Sequence, residues 1–236
     1  MQLTRKRRFS SAVYARKLPV FSSAVSLLLL LSCLCAAQNG KVETLGPLTD
    51  SSVPERVRQI LEPKGYRLLL DDGTPICELW LRKSIPAQPR SDSPDILYSN
   101  FAESTLVGVL HFAKPGSDYR GQAIPAGFYT LRYELMPNDG NHLGAAPNRD
   151  FLLLIPADSD PDPDAVFKFQ ELTALSRSAV KTKHPAPLSL IQPEVSGTAP
   201  ATSKDDQDHW IFSAGMKLAS GEELPFALVV RGTAQQ

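Results

Sequence analysis

The stretch FYTLRYELM, Phe128 to Met136, constrains the fold more than any other part of the chain. Tyr129, Leu131, Tyr133 and Leu135 alternate with Thr130, Arg132 and Glu134, a period of two that suits a strand with one apolar face and one polar face. The same grammar recurs. YRLLLDDGTPICELWLRKS reads as two strands around Asp72-Gly73, a dipeptide that supplies the backbone of a tight hairpin turn. STLVGVLHF (104–112), FLLLIP (151–156), PLSLI (187–191) and the pair HWIFSAGMKL and LPFALVVRG, joined across Ala219 to Glu223, complete the set. About eight strands joined by Pro- and Gly-containing turns predict an all-β fold, an antiparallel β-sandwich of jelly-roll or Ig-like wiring, with one or two short helices.

The two helices are predicted from a different period. SSVPERVRQILEP has Ser52 three residues before Glu55, the spacing of a capping box, with Val53, Val57, Ile60 and Leu61 on one side and Pro63 as a stop. DAVFKFQELTALSRSA sets Val166, Phe169, Leu172 and Leu175 at three-residue intervals after an acidic start, which predicts a helix crossing a sheet. SIPAQPRSDSPD (84–95) reads as a surface loop, and VSGTAPATSKDDQD (195–208) as a flexible insertion.

The N-terminus reads as an address. Residues 5–8 and 15–17 hold six basic and no acidic side chains, and an apolar run from Ala24 to Ala37 follows. That run falls short of the ~20 residues that span a bilayer, so residues 1–37 are expected to be a cleaved export signal. CAA before Gln38 suits a signal peptidase, while LLSC ending at Cys33 would instead make Cys33 a lipidated N-terminus. The paired Arg7 and Arg8 also suggest a twin-arginine signal, but general secretion fits the spacing better. Beyond the leader, residues 38–65 form a segment with the short helix and 66–236 the sandwich domain. The whole chain has 25 basic and 25 acidic residues, so losing six basic ones leaves 19 against 25. A mildly acidic exported protein lacks the basic face that nucleic acid needs, and its membrane contact is confined to the leader or a lipid anchor. Of the three cysteines only Cys77 lies past residue 37, in the apolar phase of a strand, which suits a small buried hydrophobe.

Candidate chemistry centres on the connection NDGNHLGAAPNRD between two strands. A turn needs only a few residues, whereas about a dozen separate Met136 from Phe151. Asp139, Asn141, His142, Arg149 and Asp150 could line a ligand cleft there, Arg149 holding an anionic group and His142 a switchable donor. The plainer reading is a self-bonded loop in which Arg149 pairs with Asp139 or Asp150. Elsewhere, Asp158, Asp160, Asp162 and Asp164 alternate in an acidic loop that could gather oxygens around calcium, or serve only as turn residues ahead of a helix. His111, His142, His184 and His209 show no metal-binding spacing, and no G-x-S-x-G elbow or Gly-rich phosphate loop is present, so no cofactor is expected.

RGQAIPAGFYTLRYELMPNDGNHLGAAPNRDFLLL, and less strongly GTPICELWLRKSIP, resemble segments of uncharacterised exported bacterial proteins that carry a P-A-G-x-Y-T-L-R turn and strand and a D-G-N-H…R-D-F loop. The resemblance implies a secreted β-sandwich and supplies no catalytic residues. Three function classes follow from these readings. The first is a noncatalytic cell-envelope or extracellular binding module for a small ligand. The second is a metal-assisted hydrolase using the 139–150 loop, and the third a structural partner of an envelope complex.

Overall fold

Apolar alternation builds a core only when neighbouring strands are in register, and in the computed structural model they are. The structure describes residues 40–90, 92–137, 148–193 and 197–234. In chain order the elements are β1 (Lys41–Leu45), helix α1 (Glu55–Ile60), β2 (Gly65–Leu69), β3 (Pro75–Leu81), β4 (Leu106–Phe112), β5 (Gly116–Ser117), β6 (Ala123–Ile124), β7 (Gly127–Leu135) and β8 (Asp150–Pro156). A 3-10 turn (Ala157–Ser159), helix α2 (Phe169–Val180), β9 (Pro187–Ser189), β10 (Ala201–Lys204), β11 (Trp210–Lys217) and β12 (Glu223–Arg231) follow. One sheet has the order β1-β2-β3-β4-β7-β8-β9, a second β10-β11-β12, and β5 and β6 pair alone. Every strand pairing is antiparallel. The all-β antiparallel class holds. The count exceeds eight because β1, β5, β6 and β10 are too short to show a period in sequence. The wiring departs from a jelly roll or Ig domain: spatial neighbours are chain neighbours, a meander without the Greek-key crossing.

Both hairpins read from sequence form. β2 and β3 turn at Gly73, whose φ of +81° only glycine adopts without strain. β11 and β12 pair from Lys217↔Glu223 upward, with Gly221 at φ +89° in the turn.

The inner faces of the two larger sheets enclose one core. Leu68, Leu79, Leu110, Leu131, Leu152 and Leu154 meet Phe212, Met216, Phe226 and Leu228, all buried. Tyr66 packs against Phe212 and Tyr98 against Phe226, with ring centroids 5.4 and 5.5 Å apart. Backbone bridges Leu190↔Leu228 and Ile85↔Leu218 tie the sheets along their margins. The described part of 84–95 is otherwise the exposed loop expected, but Ile85 anchors it: this residue is fully buried and exchanges backbone hydrogen bonds with Lys217 and Ala219. The supposed insertion at 195–208 likewise contains β10, registered on β11 from Ala201↔Ser213 to Lys204↔Trp210.

Helices cover the outer face of the large sheet. Val53, Val57 and Leu61 pack on Trp80, Leu106 and Val109, while Leu172 of α2 packs on Phe151, Leu153 and Ile155. The capping box expected at Ser52 is replaced by a local turn: Pro54 occupies the cap position, and the Ser52 N–H and hydroxyl both donate to Asp50 at 2.9 and 2.6 Å. Val166, expected on the buried face of the second helix, precedes it and is 85% exposed. Among the described residues no helix is long and apolar enough to cross a membrane.

Candidate functional site

The side of β7 expected to face water is buried. Thr130 and Arg132 are fully enclosed and Glu134 is 2% exposed, because the chain from 157 to 168 returns across this face ahead of α2. Such a charge survives burial only with its donors satisfied. Arg132 uses all five: Nε and Nη2 reach the two oxygens of Asp160 at 2.7 Å each, Nη2 also reaches the Asp162 carbonyl, and Nη1 reaches the carbonyls of Ser104 and Ala165. The Phe167 ring lies 4.9 Å from the guanidinium carbon.

The alternating aspartates do not converge on one point; each has its own partner. Asp160 faces inward to Arg132, Asp162 pairs with Arg56 at 3.0 Å, Asp164 with Arg82 at 3.2 Å, and Asp158 accepts from the Ser159 hydroxyl at 3.1 Å. Among the described residues no three His, Cys, Asp or Glu side chains gather where they could hold a metal ion. Cys77 is buried, and that burial, ahead of the neighbouring charge of Glu78, pushes its thiol far above the usual range. It is the inert hydrophobe the sequence suggested.

The histidines also have structural partners. His111 Nδ1 lies 2.9 Å from Glu78 Oε2, and its ring stacks on Phe128 at 4.1 Å. Burial alone would raise the Glu78 carboxyl, but bonds from His111 and Arg67 hold it below the usual range. His209 sits between the Asp205 carboxylate and the Thr233 carbonyl, at 2.9 and 3.0 Å.

Of the predicted ligand-binding set, Asp139, Asn141 and His142 lie outside the described residues, as does Cys33. The other two are engaged by the protein itself. Arg149 donates through Nε to the Met136 carbonyl at 3.1 Å and pairs with Asp95 at 3.3 Å; of its two expected partners, Asp139 lies outside the described residues and Asp150 makes other contacts. Asp150 turns into the core, where Oδ2 accepts the Tyr98 N–H at 2.7 Å and Oδ1 has no hydrogen-bond partner among the described residues. Its burial raises the carboxyl above the ordinary value.

A cleft of about 220 Å³ opens where α2 crosses the sheet margin at β9. Phe169, Thr173 and Arg177 repeat every fourth residue, so one helical face supplies one wall. The floor is Phe151 of β8 with Met136, and the far wall is Tyr119, Arg120 and the stretch Lys183 to Pro187. Asp118 shapes that wall. Its Oδ1 accepts the N–H groups of Arg120 and Gln122 at 2.9 and 2.8 Å and its Oδ2 accepts the Gln122 amide at 2.6 Å, so the backbone bends and Arg120 projects outward. The Gln122 amide also donates to the Pro185 carbonyl at 2.8 Å, and the Tyr119 N–H to the Pro187 carbonyl at 2.8 Å, locking the turn to the second stretch. Desolvation raises the Asp118 carboxyl despite these bonds.

No protein-family model matches this chain, and no curated protein or solved structure matches it.

The cleft holds four basic or titratable nitrogen-bearing side chains, Arg120, Arg177, Lys183 and His184, and no carboxylate among its lining residues. With an apolar floor and these basic side chains, it can enclose an apolar body and donate hydrogen bonds to a polar end. Its lining comes from five separated stretches of chain, which is why sequence reading missed it. The one available signal was the helical spacing of Phe169, Thr173 and Arg177, two of which are polar-sided positions on an amphipathic helix.

Proposed function

We propose that the chain is an exported, noncatalytic binding module of the cell envelope or extracellular space, and that it retains a small ligand in the cleft beneath α2. The observation that carries the reading is the cleft itself: a concave, mainly apolar site with convergent donors, with no nucleophile paired with a base beside it among the described residues. Export is supported by the basic stretch and apolar run of residues 5–37. The test is a thermal-shift screen of the purified chain against small organic molecules. A native-state ligand raises apparent stability by about 2.7 kcal/mol at a hundredfold excess over its Kd. The expected result is stabilisation by at least one class of compound, lost when Met136→Trp crowds the cleft floor. Stabilisation that survives this change would place binding elsewhere, and no response to any compound would overturn the reading.

A structural role in an envelope complex has one observation in its favour. Phe167, Ala174 and Leu175 line an open groove on the far side of α2, beside the exposed Val166. Apolar surface of this kind favours a protein contact, and concentration-dependent sedimentation of the purified chain would test for self-association through it.

A further inference from the structure

Resting on the binding reading above, we infer that the cleft takes a small organic anion, with one ring or a short alkyl chain as its body and a carboxylate, sulfonate or phosphate as its head. Size sets the first limit. A cavity of about 150 Å³ holds benzene, and drug-sized ligands begin near about 300 Å³, so about 220 Å³ suits a single ring carrying one polar group.

Charge sets the second limit. Arg120, Arg177 and Lys183 are exposed at the rim, and none of them forms an ion pair among the described residues, where Arg56, Arg67, Arg82, Arg132 and Arg149 all do. The nearest acid, Asp118, does lower the local potential at Arg120, but its oxygens are taken by backbone N–H groups and Gln122. Three cations over a floor of Phe151 and Met136, with Phe169 in the wall, therefore leave a positive mouth on an apolar well. The guanidinium groups give planar, bidentate recognition of a carboxylate or phosphate, with His184 beside them. Since the cations are hydrated before binding, the head contributes orientation and salt-sensitive attraction, while the ring supplies burial.

The experiment is isothermal titration of the purified chain with benzoate, phenyl phosphate and hexanoate, alongside the neutral counterparts benzamide and benzyl alcohol and the bare anions acetate and inorganic phosphate. The expected result is binding of the amphipathic anions about tenfold or more tighter than of either control group. That binding should weaken as salt rises and fall by about tenfold in Arg177→Gln and in Arg120→Gln, both exposed positions at which the unliganded melting temperature stays put. Equal binding of benzoate and benzamide would overturn the anion inference and leave the binding module standing. Equal binding of acetate and benzoate would overturn the apolar half of the inference. No binding by any probe would overturn both.

Discussion

Replacing Glu134 with Gln should stabilise this protein, and more so at alkaline pH. Glu134 is 2% exposed; its Oε1 accepts the Leu135 N–H at 3.0 Å, and its Oε2 has no partner among the described residues. Burial outweighs that single bond, and with the nearby charge of Glu103 it pushes the carboxyl from 4.5 up to about 7. At about 1.4 kcal/mol per tenfold this corresponds to a penalty of about 3 kcal/mol once the group is fully ionised. The folded state binds the proton more tightly than the unfolded chain, so stability is highest below about 4.5, falls as pH rises to about 7, and stays low above it. Gln keeps the shape of the protonated acid and never ionises. Its advantage should grow from under about 1 kcal/mol at pH 5 to about 3 kcal/mol at pH 8, which is about 4–8 °C of additional separation in melting temperature for a domain of this size. Urea unfolding of both proteins at the two pH values measures the gap directly. A gap that is the same at pH 5 and pH 8 would show that Glu134 ionises freely in the folded state, and would refute the reasoning.

Three further outcomes are expected. Asp160→Ala leaves Arg132 charged and uncompensated in the interior and should cost about 3–5 kcal/mol in urea unfolding; a loss below about 1 kcal/mol would mean that water reaches the guanidinium. Gly108→Ala places a methyl group 2.5 Å from the Trp80 carbonyl oxygen in the neighbouring strand, so it should cost about 1–3 kcal/mol by calorimetry, and a neutral result would show that β3 can move aside. Among the described residues Arg149→Ala removes a half-exposed pair with Asp95 and one carbonyl contact, so the cost should stay near or below about 1 kcal/mol; a loss above about 3 kcal/mol would make this residue the anchor of the sheet end.

Much of the scaffold was legible because its signals are local. The hairpins at Gly73 and Gly221 and the inner residues of β7 follow from a two-residue period and from turn chemistry read within a few positions. What escaped depends on distant chain. Arg132 and Glu134 looked like a solvent face because charged residues in a strand normally mark one, and only the return of 157–168 puts them under cover. Asp160 looked like a turn residue or a metal ligand for the same reason: its partner lies 28 positions away. The cleft could not be seen because no single stretch contains more than a few of its residues. The loop that drew attention in sequence contributes Arg149 and Asp150 to the described structure, and both are spoken for by internal partners.

The five-fold satisfaction of Arg132 also bears on how the molecule can come apart. Three of its acceptors, Asp160 and the carbonyls of Asp162 and Ala165, belong to the irregular stretch that leads into α2. Peeling α2 away by itself would pull on that stretch and strand a cation inside the sheet, so partial opening at this side is penalised and the helix tends to be lost only with the sheet. The wall of the cleft formed by Phe169, Thr173 and Arg177 is thereby anchored to a fully buried charge. A cleft walled by such a helix keeps its shape when empty, so the proposed ligand would meet a site already formed.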